Sequence, residues 1–129
     1  MRIYFIPYVL QFSFLAGTSR GVLTEKKTYF ICIEDEKGQK GYGEAGPLKG
    51  LSIDDVPDFE EQLANICNTF PIKNIQTISK KELNIFLDSL ISVDFPSIKF
   101  AFETAILDYW NGGKRQLFDT PLKKKKKGI

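Results

Sequence analysis

The chain has 129 residues, 43% hydrophobic and 26% charged, which fits one folded domain and excludes a disordered or fibrous protein. Its 18 basic and 16 acidic residues leave a net charge of +2. Five of the lysines form a single run at 123–127, so the body holds 13 basic against 16 acidic residues and spreads no basic face for nucleic acid. With no histidine and only Cys32 and Cys67, it lacks Ser–His and Cys–His nucleophilic pairs, histidine acid–base catalysis, His-containing zinc sites, a four-thiolate metal site and a disulfide framework.

The first segment, IYFIPYVLQFSFLAG over 3–17, superficially resembles a secretory signal. Pro7, Gln11, Ser13 and two tyrosines interrupt the apolar run that a signal needs, and the segment alternates instead. Tyr4, Ile6, Tyr8, Leu10, Phe12 and Phe14 fall on one face, with Ile3, Phe5, Val9, Gln11 and Ser13 on the other, which predicts a strand. No stretch approaches the ~20 apolar residues of a membrane span. The expected setting is cytoplasmic and reducing, with both cysteines packed as small apolar groups.

A polar loop, Ala16-Gly17-Thr18-Ser19-Arg20-Gly21, follows. The second strand is predicted over 27–35, with Tyr29, Ile31 and Ile33 on one face and Thr28, Phe30 and Cys32 on the other. Glu36-Lys37-Gly38-Gln39 reads as a hairpin connection to a short third strand at 40–45, marked by Gly41 and Gly43 where another backbone approaches closely. A second loop, Gly46-Pro47-Leu48-Lys49-Gly50-Leu51, leads into helices. Ser52 with Asp55 is read as opening the first, whose stripe is Val56, Phe59, Leu63, Ile66 and Cys67. Ser79 and Glu82 form a capping box ahead of Leu83, Phe86, Leu87 and Leu90. In the third helix Pro96 sits at the start, Ile98, Ala101, Phe102, Ala105 and Tyr109 line one face, and Gly112-Gly113 ends it.

The predicted fold class is therefore α+β: a three-stranded antiparallel β-meander followed by a bundle of three or more helices. One face of the sheet is expected against the helices. The other, assigned Ile3, Phe5, Val9 and Phe30, is too apolar to stand free, and is covered either by helices wrapping both faces or by another domain or chain.

Two segments taken together resemble a family. Gly41-Tyr42-Gly43-Glu44-Ala45-Gly46-Pro47 closes the meander, and Pro96-Ser97-Ile98-Lys99-Phe100-Ala101-Phe102-Glu103-Thr104-Ala105-Ile106-Leu107-Asp108 forms the third helix. They resemble the G-x-G-E segment and the P-x-x-x-x-A-x-E-x-A-x-x-D helix of the N-terminal capping domain of the enolase superfamily, in its muconate-lactonising subgroup. Within that subgroup, AGTSRGVL at 16–23 and GPLKGLSIDD at 46–55 are similar to the o-succinylbenzoate synthases of menaquinone biosynthesis. The resemblance divides the chain into an enolase-like capping domain at 1–119 and a lysine-rich tail, or the start of a (β/α) barrel, at 120–129.

The resemblance implies an enzyme in two parts. The cap shapes specificity, while a following barrel carries lysines as acid and base and binds the Mg²⁺ that stabilises an enediolate. The reaction implied is loss of water from a cyclohexadiene carboxylate to give an aromatic product. The implied partners are the chain's own barrel domain and a small carboxylate substrate, with neither nucleic acid nor membrane. The family's Lys-x-Lys motif, metal-binding acids and opposing lysine all lie in the barrel. The 129 residues are expected to contain no catalytic residue, to bind no metal and to be inactive alone. The run at 123–127 is read as a solvated tail or an imperfect continuation.

The candidate substrate-binding residues are Gly17, Thr18, Ser19 and Arg20 in the first loop and Leu48, Gly50 and Leu51 in the second. Arg20 offers a fork of donors to a carboxylate, Thr18 and Ser19 add hydroxyls, and Gly17 and Gly21 let the loop close as a lid. Without the resemblance Arg20 is a solvated arginine on a turn. Leu48, Gly50 and Leu51 give either an apolar pocket wall or a clasp leading into the first helix. Glu44 either pairs with a barrel cation or is a plain exposed strand residue. Glu103 and Asp108, five apart, fall on different helix faces and read as structural rather than as a metal site. Tyr109 and Trp110 are assigned to the core or to the barrel contact. Alternative readings of the whole are the cap of a dipeptide epimerase or muconate cycloisomerase relative, and a stand-alone α+β binding module.

Overall fold

A computed structural model describes residues 1–15, 21–47 and 53–112, with backbone alone for 10–15 and 21–26. Three antiparallel strands, β1 (Arg2–Leu15), β2 (Gly21–Glu34) and β3 (Lys40–Ala45), form one sheet in the order β1-β2-β3. The helices α1 (Phe59–Thr69), α2 (Lys80–Leu90) and α3 (Pro96–Trp110) follow, with a 3₁₀ turn at Ile72–Gln76 between the first two. The α+β class and element order are as the sequence predicts. The division at 119/120 lies outside the described residues, as does the run at 123–127.

The strand β2 begins six residues earlier than predicted. Its Glu25-Lys26-Lys27 stretch offers no apolar alternation, but backbone pairing needs none, and these residues lie opposite Gln11, Leu10 and Val9. Pro7 is tolerated because β1 is an edge strand. At the hairpin between β2 and β3, Gly38 takes φ +89°. There the Asp35 carboxylate accepts the amides of Lys37 and Gln39, both at 2.9 Å.

Register corrects the predicted division of the sheet faces. Ile3 pairs with Ile33 and Phe5 with Ile31, so these four share the face toward the helices with Tyr29. Phe30 lies opposite Ile6, and Cys32 lies between Tyr4 and Tyr42, so Phe30 belongs to the other face. Phe30 and Cys32 are nevertheless buried, with the Tyr8 ring 6.2 Å from that of Phe30.

Two aromatic chains knit the helical layer. Phe5, Tyr29, Phe59 and Phe95 follow one another at centroid distances of 5.9, 5.4 and 6.1 Å, joining β1, β2, α1 and the entry to α3. Phe70 stacks on Phe102 at 5.0 Å and meets Phe86 edge-on at 5.8 Å. The predicted face of α3 is inward, with Ile98, Ala101, Phe102, Ala105 and Tyr109 buried; in the α2 stripe Leu83 and Leu87 are buried and Phe86 partly so, while Leu90, at the helix end, is exposed. The Glu82 carboxylate accepts the Ser79 amide at 2.8 Å, as a capping box requires. Helix α1, in contrast, starts at Phe59, beyond the predicted opening at Ser52 and Asp55. Val56 and Phe59 instead close short turns onto Asp54 and Val56, and Asp54 turns away to α3.

Helix α3 lies directly on β3. A Cβ on Gly41 would collide with the Ala105 carbonyl, and one on Gly43 with the Ala101 carbonyl. The alternation Gly41-Tyr42-Gly43 thus removes side chains only on the helix side, and Ala101 and Ala105 remove them from the helix in return. The Asp108 carboxylate accepts the Tyr42 amide at 2.9 Å, so α3 also covers an outward-facing donor of this edge strand.

Candidate functional site

All seven predicted substrate-binding residues, Gly17, Thr18, Ser19, Arg20, Leu48, Gly50 and Leu51, lie outside the described residues, as does Ser52. What the structure does define is how the flanks of both loops are held. The first loop leaves and re-enters the sheet at Leu15 and Gly21, which are paired partners, so its two ends are adjacent. The second follows β3, which ends at Ala45, and precedes Ile53, in the turn ahead of α1.

The β3 flank is tied to the neighbouring strand through Thr28. Glu44 is exposed and accepts the hydroxyl of buried Thr28 at 2.8 Å. Beside it, a cleft of about 400 Å³ is lined by Glu44, Gly46, Pro96, Ser97 and Phe100. Phe100 is 61% exposed, an unusual state for an aromatic residue on the helix that otherwise forms the core. The flank at Ile53 is held by Asp54, a fully buried carboxylate that accepts the Ser97 amide at 2.7 Å and the Ser97 hydroxyl at 3.1 Å. It supplies the side-chain cap that Phe95, the residue preceding α3, does not. Sequence reasoning missed this residue because Asp54 sits beside Ser52 and Asp55, where a local cap is the obvious reading.

At the opposite end of α3, a polar lock joins three elements. The Tyr109 hydroxyl donates to Asp35 at 2.9 Å and accepts from the Gln76 side-chain amide at 3.2 Å, and the Gln39 side-chain amide donates to the Tyr109 carbonyl at 2.6 Å. The Trp110 indole donates to the Ile75 carbonyl at 2.9 Å. Burial pushes the Asp35 carboxyl up, but the Tyr109 hydroxyl and the Gln39 and Lys37 amides together outweigh it and hold the group below its ordinary value. Asp108 likewise ties α3 to the sheet, consistent with a structural part.

Acid–base and metal chemistry have little to work with among the described residues. No group of three or more His, Cys, Asp or Glu is arranged to hold a metal ion, so these residues do not fit the Mg²⁺ that the resemblance implies. Lys27 pairs with Glu60 at 3.0 Å and Lys99 with Asp88 at 2.6 Å, both as ordinary ion pairs. Burial raises both thiols, Cys67 to about 12, which leaves neither as a ready nucleophile. Burial, followed by the neighbouring Cys32, also raises Tyr42 to about 12. What the described residues do offer is an open cleft beside β3 and the start of α3. No helix among the described residues is long and apolar enough to cross a membrane.

This geometry is the fold of the N-terminal capping domain of the enolase superfamily. The chain is similar to o-succinylbenzoate synthase of Desulfotalea psychrophila, with 32% identity over 134 residues, covering 88% of this chain and 36% of that protein. The crystal structure of MenC from the same organism aligns with 89% of this chain at 27% identity and a TM-score of 0.68, again over 36% of that chain. O-succinylbenzoate synthase of Thermosynechococcus elongatus, crystallised with magnesium in its active site, aligns with 84% of this chain and 30% of its own at 24% identity and a TM-score of 0.49. The chain thus spans about a third of the length of the relatives it matches. No family model matches it.

Proposed function

We propose that this chain is the capping, specificity-determining part of an o-succinylbenzoate synthase-like lyase, which removes water from a cyclohexadiene carboxylate to give an aromatic carboxylate. The observation that carries the reading is the 32% identity to o-succinylbenzoate synthase across 88% of the chain. The close packing of Gly41 and Gly43 on α3 supports it, since it gives the two resembling motifs one physical purpose.

In this reading, the 129 residues bind and enclose substrate, and the chemistry belongs to a barrel that forms the chain's partner. Arg20 meets the substrate carboxylate through its guanidinium fork, with Thr18, Ser19 and Gly17 beside it. Leu48, Gly50 and Leu51 supply apolar wall to the ring that becomes aromatic. Mg²⁺, held by the barrel, would supply charge stabilisation at the substrate carboxylate. Alone, the chain turns over no substrate.

The test begins with the coding DNA, read past the codon for Ile129. A frame that continues into a barrel, whose product dehydrates the cyclohexadiene carboxylate while the 129-residue chain does not, is the expected result. A whole product that inverts or isomerises its substrate without losing water would reassign the cap to an epimerase or cycloisomerase. A stop codon directly after Ile129 would overturn the lyase reading for this protein.

A further inference from the structure

We propose that the cleft between β3 and the start of α3 receives an arginine side chain from the barrel, an inference that rests on the reading above that this chain is the cap of a longer enzyme. The ~400 Å³ cleft is lined by Glu44 and Gly46 on one side and by Pro96, Ser97 and Phe100 on the other. It offers one carboxylate, one hydroxyl and one aromatic ring, and that ring is 61% exposed. Fully buried Thr28 donates to Oε2 of Glu44 at 2.8 Å, which fixes the direction of the carboxylate. Glu44 forms no ion pair among the described residues, whereas Glu34, Glu60 and Asp88 each have a basic partner.

An oriented carboxylate beside an exposed ring suits a guanidinium better than an ammonium. The guanidinium is planar, stacks on an aromatic face and presents its N–H groups to a carboxylate as a fork, while lysine brings a strongly hydrated point charge. A lone carboxylate is too little for a divalent ion, and no group of three or more metal-binding side chains occurs among the described residues. An exposed pair with a free cation would be weak. An arginine carried on the same chain arrives at high effective concentration, and covering the cleft takes the pair out of water, where its attraction is stronger. Length argues for that source: the chain spans 36% of the o-succinylbenzoate synthase it resembles, so the larger part of such a protein remains to cover this surface.

The test uses the whole-length protein and reads amide exchange at Glu44 and Gly46. The Tyr42 amide points out of the sheet edge to Asp108, and by the two-residue repeat of a strand the Glu44 amide points outward as well. A seated arginine shields this edge. Glu44→Gln keeps the size of the side chain and can still accept from Thr28, but it loses the charge. It should speed exchange at both amides about ten-fold while those of Ile31 and Ile33 in the central strand stay protected. Phe100→Leu, which keeps an apolar side chain without the ring, should speed it roughly three-fold. A crystal structure of the whole-length protein should show an arginine from beyond residue 129 on the Glu44 carboxylate and the Phe100 ring.

Exchange unchanged by Glu44→Gln would overturn the inference, as would a cleft filled by lysine, by apolar side chains or by water alone. The underlying reading is judged separately, by whether the whole-length protein removes water from the cyclohexadiene carboxylate. If it does and no arginine occupies the cleft, only the docking site falls. If a barrel is present and performs a different reaction with arginine in the cleft, the lyase reading falls and the docking site stands. A stop codon directly after Ile129 leaves no barrel, and both fall.

Discussion

Gly43 of β3 and Ala101 of α3 are in contact through their backbones: a Cβ on the glycine would meet the alanine carbonyl. This contact sets the distance between sheet and helix next to the cleft. Gly43→Ala must push α3 outward or bend β3, and overpacking against a backbone belongs at the upper end of the usual 1–3 kcal/mol, about 3 kcal/mol. Urea unfolding followed by circular dichroism would show this as a lower midpoint. A midpoint within error of the parent would mean that the two elements do not pack this tightly.

Phe102 is fully buried and stacked on Phe70 at 5.0 Å, in the middle of the helical layer. Phe102→Ala is expected to cost about 3–5 kcal/mol, from lost transfer energy and the cavity left behind. Phe100→Ala, on the same helix but largely exposed, should change stability by less than ~0.5 kcal/mol. Equal effects of the two would contradict the orientation of α3.

Acid should unfold the protein in part through Asp35. Its carboxyl lies below its ordinary value of 3.8, as Glu34 beside Arg2, Glu60 beside Lys27 and Glu82 at the Ser79 amide lie below 4.5. A carboxylate lowered in the fold contributes stability above its unfolded value and loses it as pH falls through the folded value. Stability should therefore be nearly flat above about pH 5 and fall below roughly pH 4. Asp35→Asn should lower the plateau and make the acid decline shallower in urea midpoints taken from pH 7 to 3. An equally steep decline in the variant would remove the Asp35–Tyr109 bond from the acid response.

The two thiols should be silent in the folded chain. Cys32 is flanked by Tyr4 and Tyr42, Cys67 faces the core, and burial raises both. A disulfide reagent at pH 8 should label neither within minutes and both at once in guanidinium chloride. Rapid labelling of Cys32 in the native chain would show that its face of the sheet opens readily.

Arg20 provides the direct check on substrate contact. If Arg20 meets the substrate carboxylate as proposed, Arg20→Ala in the whole-length protein should remove a charge-assisted hydrogen bond of about 1.5–3 kcal/mol, or roughly 10- to 150-fold in kcat/KM. Lysine keeps the charge without the fork and should recover only part of it. Full activity of Arg20→Ala would take this residue out of the site.

Much of this protein is determined by its sequence alone. Alternation of period two marks the strands, Gly38 marks the hairpin turn, Ser79 and Glu82 mark the start of α2, and Pro96 with Gly112 brackets α3. These are local signals, and each reflects a backbone preference or a bond between neighbours in the chain. The glycines at 41 and 43 also announced a close approach, though not what approached. The candidate residues in the two loops came from a resemblance in sequence, and no local periodicity could have shown them. Tertiary structure alone decided which face of each strand turned inward, because β1 and β2 are apolar on both faces and only register and helix docking choose between them. It also decided the start of α1 and the partners of Asp54 and Asp35. Asp35 caps its own hairpin through the Lys37 and Gln39 amides, and Asp54 could have capped its own neighbourhood in the same way. Folding brought Ser97 and Tyr109, 43 and 74 residues distant, within hydrogen-bonding reach, and a buried carboxylate is stabilised by donors close in space, however distant they are in the chain.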